Sequence, residues 1–187
     1  MPLSLSNVPR VLKHTRAITV EAYARDDGLW DLEAHITDIK TRDVQLISGQ
    51  RLAGQPWHDL WLRITIDTQL LIVAAEAASD SVPYPGHCQA ITPHYQSLVG
   101  VSLVYGFRKQ LQQRLGGILG CTHLTELAQV LPTAAIQAFA GEVTKLRTPD
   151  DQETSRPFQI DRCHAMRSDG AAVAQYYPRW ASKPGGS

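Results

Sequence analysis

The sequence predicts an α+β fold, in which an antiparallel β-meander of about four strands packs against two or three helices. Apolar and polar residues alternate along several segments of the first half, as in strands with one buried face. In the second half, apolar residues recur at helical spacing. A chain of 187 residues is long enough for one compact core. We therefore expect a flexible N-terminal arm at residues 1–15, a single domain at 16–181 and a disordered tail at 182–187.

The first two strands are predicted on either side of Asp27-Gly28. Ile18 and Val20 alternate with polar neighbours before this dipeptide. After it, one face of the second strand carries Trp30, Leu32, Ala34 and Ile36. Asp-Gly between two alternating runs is a strong hairpin signal and predicts a type I′ turn, which needs positive φ at both central residues.

The third and fourth strands are predicted after a polar, Gly-containing connection at residues 48–55. Residues 57–66 alternate again, and His58 falls on the same face as four aliphatic residues. Asp67-Thr68 then reverses the chain into an apolar run at residues 70–75. These two strands complete the meander.

Helices are predicted beyond the interruption at Pro83, Pro85 and Gly86. Apolar residues at helical spacing run from Leu98 to Leu111, and glycines at 116, 117 and 120 end that helix. Thr122 is the expected N-cap of the next helix. Pro132 either starts a third helix or kinks the second, with residues 134–143 helical. Residues 148–157 are expected to form a loop, and 158–180 an edge strand or strap.

Composition restricts the class of partner. Lysine plus arginine equals aspartate plus glutamate at 18 each, so the chain lacks the positive charge that binding to nucleic acid or an anionic membrane requires. No apolar run is long enough to span a bilayer, and the N-terminus lacks a signal-like apolar core. We expect a cytoplasmic protein with reduced thiols and a small-molecule partner. The sequence is also compatible with a homo-oligomer.

The strongest candidate site is the Gly-rich turn at residues 116–124, which delivers Cys121 and His123 to the start of a helix. Two further thiols, Cys88 and Cys163, also lie beside a histidine. Thiolate and imidazole are ligands of zinc and iron, so Cys88, Cys121, His123 and Cys163 are the candidate metal ligands, with His58 and His164 as further donors. Two alternatives remain. The cysteines are small buried apolar groups, or Cys121 is a metal-free nucleophile whose pKa is lowered by the helix N-terminus.

A second set of candidates lies in the predicted sheet. Tyr23 and Arg25 share one face of the first strand near the hairpin, where a phenol and a guanidinium could line one end of the sheet. His58 must be desolvated on its apolar face, which favours either a functional role or a satisfied hydrogen bond. Arg25 and Asp27 can instead stabilise the turn itself.

Three segments together resemble a bacterial family known as domain of unknown function 2889. They are YARDDGLW at residues 23–30, GQPWHD at 54–59 and GCTHLTEL at 120–127. The similarity extends over about residues 16–180. It implies a free-standing, single-domain cytosolic bacterial protein and carries over no catalytic residues. Chemistry alone therefore nominates Tyr23, Arg25, Asp27, His58, Cys121 and His123.

Three functions follow from these candidates. The first is a small-molecule lyase or hydrolase acting on an aromatic or acyl compound, in which a metal polarises the substrate, Arg25 holds an anionic group, and Tyr23 or His58 moves a proton. The second is a carrier or scaffold for a metal, an iron-sulfur cluster or sulfur. The third is a non-catalytic interaction module with the thiols in its core.

Overall fold

The computed structural model describes residues 3–147 and 154–182. The chain groups into two compact units, which divide between Lys145 and Leu146. Residues 3–13 are exposed and contain no helix or strand, and the first strand begins at His14, within the arm predicted at 1–15. All but Ser182 of the tail predicted at 182–187 lies outside the described residues.

The first unit contains the predicted antiparallel meander. Its strand order is β1-β2-β5-β6, with each neighbouring pair antiparallel, and β3 and β4 form a separate two-stranded hairpin between β2 and β5. The second strand of this small hairpin lies within the polar connection that was predicted at residues 48–55. The strands are β1 (His14–Ala24), β2 (Trp30–Lys40), β3 (Val44–Leu46), β4 (Gly49–Arg51), β5 (Pro56–Ile66) and β6 (Ile72–Ser81).

The turn between β1 and β2 differs from the predicted type I′ turn. The Gly28 N–H donates to the Arg25 carbonyl at 3.1 Å, so Asp26 and Asp27 are the central residues of the turn. Gly28 has a φ of 82°, whereas Asp27 does not have a positive φ. A glycine in the left-handed region after a tight turn is typical of a longer hairpin loop, in which only one residue needs positive φ.

The first α-helix of the first unit starts later in the sequence than predicted, at Phe107 and not at Leu98. A 3-10 helix (Cys88–Leu98) precedes α1 (Phe107–Leu115), because Gly100 and Gly106 adopt positive φ between them. After a short 3-10 helix (Gly117–Leu119), α2 (Thr122–Phe139) continues through Pro132, so the predicted third helix is part of the second. Cys121, and not Thr122, is the N-cap residue of α2.

The core lies between one face of the sheet and α2. Because side chains alternate along a strand, β2 and β5 present their aliphatic residues to the same side, where α2 packs against β1, β2 and β5. The opposite face of the sheet carries the polar residues. Fully buried members of the core include Leu32, Ile36, Leu60, Leu62, Ile64, Leu124, Leu127 and Leu131.

The second unit consists mainly of turns. It contains α3 (Ala171–Tyr176) and a 3-10 helix (Pro178–Trp180), and Val173 is fully buried. The edge strand predicted for residues 158–180 is wrong, because turns and the short helix occupy that segment. Across the described parts of both units, none of the helices has the length and hydropathy needed to cross a bilayer.

Candidate functional site

The apolar face of the sheet ends in a polar cluster beside the start of α2. His14 and Arg16 belong to β1, Asp38 to β2 and His58 to β5. The strand register places Arg16 directly opposite Asp38, and Asp38 directly opposite His58. Three neighbouring strands therefore contribute to one group, at the position where the pairing of β2 with β5 shifts register.

Asp38 is the centre of this cluster. Its side chain is only 5% exposed, and both of its oxygens accept hydrogen bonds. Arg16 binds it in a bidentate manner, with Nε 2.9 Å from Oδ1 and Nη2 2.8 Å from Oδ2. His14 Nε2 lies 2.8 Å from Oδ1, and His58 Nδ1 lies 2.9 Å from Oδ2. A buried carboxylate with this many donors is fully compensated for its loss of hydration.

These contacts keep Asp38 ionised. Burial alone would raise the pKa of its carboxyl group, but the hydrogen bonds from Arg16, His14 and His58 outweigh burial and hold that pKa well below its usual range. An ionised carboxylate can only accept hydrogen bonds. The nitrogens that face it, Nε2 of His14 and Nδ1 of His58, must therefore carry protons.

The protonation of His58 follows from this pairing. Burial lowers the pKa of His58, although its hydrogen bond to Asp38 acts in the opposite direction. The ring thus favours the neutral form, with its proton on Nδ1 and a lone pair on Nε2. An imidazole oriented in this way by a carboxylate is suited to accept a proton.

The start of α2 adds His123 and Cys121 to the cluster. The rings of His123 and His58 are tilted by 31° to each other with their centroids 3.7 Å apart, and His123 Nε2 is 3.8 Å from Asp38 Oδ2. On its other side, His123 Nδ1 lies 3.9 Å from the Cys121 sulfur. Burial raises the pKa of Cys121, but His123 and the nearby backbone N–H groups of Leu124 and His123 outweigh burial and lower it.

A buried tyrosine fixes the backbone where α2 begins. Tyr95 has no exposed surface, and its hydroxyl donates to the Cys121 carbonyl at 2.9 Å. The same hydroxyl accepts from the Cys121 N–H at 3.0 Å and lies 2.9 Å from Thr125 Oγ1. Tyr95 thereby fixes the peptide groups of the N-cap residue, two positions before His123.

An open cleft of about 140 Å³ lies over the cluster. Asp38 is buried and forms its floor, whereas Lys40, Trp57, His58 and His123 are partly buried around it. The Lys40 ammonium is 4.7 Å from the centre of the Trp57 ring. The residues that line the cleft are His14, Arg16, Asp38, Lys40, Trp57, His58 and His123.

The cluster contains a group of side chains that could hold a metal ion. One donor atom from each of Asp38, His58 and His123 lies within 4.8 Å of the other two. Among residues 3–147 and 154–182, no other group of three or more histidine, cysteine, aspartate or glutamate side chains converges in this way. Of the predicted ligands Cys88, Cys121, His123 and Cys163, it is His123 that belongs to this group.

The structure places the predicted candidates as follows. Cys121, His123 and His58 come together as neighbours in one cluster. Tyr23 and Arg25 do not join them, because they lie near the hairpin, about 23 Å and about 30 Å along the chain from Arg16 at roughly 3.3 Å per residue. There Arg25 binds Asp27 and Asp31, so these side chains stabilise the turn.

The other two cysteines belong to other elements of the chain. Cys88 starts a 3-10 helix and packs against the core of the first unit as a partly buried side chain. Cys163 is exposed in the second unit, in a turn that also contains His164. All three cysteines are free thiols.

Sequence reasoning missed Asp38, Arg16 and His14. A signal existed for Asp38, because it continues the alternation of Leu32, Ala34 and Ile36 as a carboxylate at a buried position. His14 and Arg16 extend the inward face of β1 in the same way, but they precede the apolar residues from which the strand was identified.

Fold and site together define a small α+β protein with a histidine cluster organised around one buried aspartate. A family model described as "Protein of unknown function (DUF2889)" matches residues 14–137, which include the whole cluster. The match covers more than half of the chain, and the protein belongs to that family. Neither the curated proteins nor the solved structures contain a match.

Proposed function

We propose that this protein is an enzyme that acts on a small molecule as a lyase or hydrolase, with His58 as the residue that accepts a proton from the substrate or from water. The supporting observation is the 2.9 Å contact between His58 Nδ1 and Asp38 Oδ2 at the floor of the cleft. The carboxylate holds the proton on Nδ1, which leaves Nε2 as the base. The three free thiols are compatible with the reducing cytoplasm, where we propose that the protein works.

Two neighbours complete the proposed machinery. The His123 ring lies 3.7 Å from the His58 ring, centre to centre, so we assign it the return of a proton to the leaving group. Arg16 is a positioning residue, because both of its bonds to Asp38 fix the carboxylate that orients His58. Cys121 contacts His123 and tunes its position in this scheme.

A metal-assisted version of the same reaction is the second candidate, with zinc or iron held by Asp38, His58 and His123. It is favoured by the convergence of their donor atoms within 4.8 Å. The bidentate bond of Arg16 disfavours it, because a divalent cation would share Asp38 with a guanidinium that already occupies both oxygens. A bound metal would polarise a substrate oxygen.

The test is turnover of a panel of aromatic acids, acyl esters and thioesters in D₂O, followed by proton NMR for cleavage and for solvent exchange. His58→Gln should reduce turnover at least about 100-fold, the lower end of what a general base contributes. His35→Gln is the matched control, because His35 is held by Asp59 at 2.6 Å on the opposite face of the sheet. We expect that variant to remain active.

Metal analysis of anaerobically prepared protein separates the two candidates. Zinc or iron near one per chain, with turnover lost in chelator and restored by metal, would support the second candidate. Full turnover in metal-free protein would support proton transfer alone. If no compound turns over, or if the two histidine variants lose activity equally, the proposed role of His58 is wrong.

A further inference from the structure

We infer that the cleft binds a small aromatic carboxylate, with Lys40 binding the carboxylate group and Trp57 packing against the ring. The inference rests on the proposed function, because it names the substrate class of the same cleft. It depends on the charges and the size of the cleft, and not on whether the reaction uses a metal.

Lys40 is the cation of the cleft whose charge is uncommitted. Arg16 is neutralised by Asp38 and by Glu126, whose Oε2 lies 2.6 Å from Nη1. In the part of the chain that the structure describes, no carboxylate lies within 4.0 Å of the Lys40 ammonium, and its neighbour is the Trp57 ring. An ammonium that lines a cleft and has no acidic partner favours an anionic ligand.

The floor of the cleft does not repel an anion. Asp38 is the acidic residue among those that line it, and its two oxygens are turned to Arg16, His14 and His58. Its negative charge is therefore compensated before a ligand arrives. An anion held at Lys40 meets imidazole and indole rings instead of a free carboxylate.

Trp57 and the cleft volume restrict the rest of the ligand. The Lys40 ammonium lies over the partly buried indole, 4.7 Å from the ring centre, so the cation and an aromatic surface are presented together, which suits an aromatic carboxylate. The volume of about 140 Å³ is below the roughly 300–1,000 Å³ typical of sites for drug-sized ligands. A one-ring compound fits this space better than a nucleotide. Its carboxylate at Lys40 leaves the remainder of the molecule beside His58 and His123.

The probe is benzoate, titrated into the full-length protein by isothermal titration calorimetry. Benzamide has the same shape without the charge, and acetate has the charge without the ring, so both should bind at least about tenfold more weakly, a difference of about 1.4 kcal/mol. Lys40→Met and Trp57→Leu should each weaken benzoate binding by a similar factor. Lys109→Met is the matched control, since Lys109 is exposed on α1, and should bind as the unaltered protein does.

The inference is overturned if benzoate does not bind, if benzamide binds equally well, or if Lys40→Met leaves the affinity unchanged. Its failure is distinguishable from that of the proposed function. Binding of benzoate that depends on Lys40, without turnover of any compound, would contradict only the proposed function. Turnover that depends on His58 but not on Lys40 would contradict only the inference.

Discussion

Asp38 organises the chemistry of this protein at the scale of a single residue. A buried carboxylate is costly unless donors surround it, and here Arg16, His14 and His58 supply them. The same bonds determine which nitrogen of each histidine carries its proton. One side chain thus couples the stability of the sheet end to the protonation of the imidazoles in the cleft.

Asp38→Asn tests this coupling. The amide retains the shape but presents an NH₂ group to donors that need an acceptor, so we expect the free energy of unfolding to fall by about 1–3 kcal/mol. Urea denaturation measures the change. Asp59→Asn is the control, because Asp59 and His35 form a comparable pair whose side chains are each about a quarter exposed. Its cost should stay below about 1 kcal/mol.

The pH dependence of stability supplies a second readout for the same variant. The pKa of Asp38 is lower in the folded protein than the roughly 3.9 of an unfolded chain, so its contribution is complete above that value. The contribution is lost as the pH falls through the folded-state pKa. Between neutral pH and the acid range, the free energy of unfolding should therefore fall less for the Asp38→Asn variant than for the unaltered protein. An identical acid profile would show that Asp38 is not the stabilising charge.

At the scale of an element, α2 begins where it does because of Tyr95. The preceding glycines provide no side-chain cap, and the N-cap residue itself makes no side-chain cap hydrogen bond. The buried phenol instead binds both peptide groups of Cys121. This contact connects the 3-10 helix at residues 88–98 to the start of α2, and so to the position of His123.

Tyr95→Phe should lower the free energy of unfolding by about 1–3 kcal/mol, because the Cys121 N–H and carbonyl lose a buried partner. It should also weaken turnover, since His123 is two residues away. Tyr105→Phe is the control, because Tyr105 is 81% exposed and should have no effect on either quantity. Equal effects of the two substitutions on unfolding and turnover would refute this role of Tyr95.

The β1–β2 hairpin depends on a different backbone requirement. Gly28 adopts a φ of 82°, which a β-branched residue rarely tolerates. Gly28→Val should therefore destabilise the fold by about 1–2 kcal/mol, as measured by thermal unfolding. Asp26 lies in the same turn but does not have a positive φ. Asp26→Val should therefore change the free energy of unfolding by less than about 0.5 kcal/mol. A larger loss for the Asp26 variant would contradict this explanation.

At the scale of the whole molecule, periodicity predicted the meander because each long strand has one buried face. The beginning of α1 was mispredicted, since apolar residues from Leu98 to Val104 also occur at helical spacing although Gly100 and Gly106 interrupt the backbone. Part of the cluster consists of residues that the sequence nominates. Cys121, His123 and His58 carry recognisable chemistry, but only the register of three strands shows that Asp38 joins them.

The distance in sequence between the members of the cluster has a consequence for folding. His14 and His123 lie 109 positions apart in the sequence. They line one cleft only after β1 has paired with β2, β2 with β5, and α2 has packed on all three. Contacts of such high sequence separation carry a large loop-closure entropy and form slowly. A nascent or partly folded chain therefore carries no assembled cluster, and the proposed proton transfer requires that these elements have first come together.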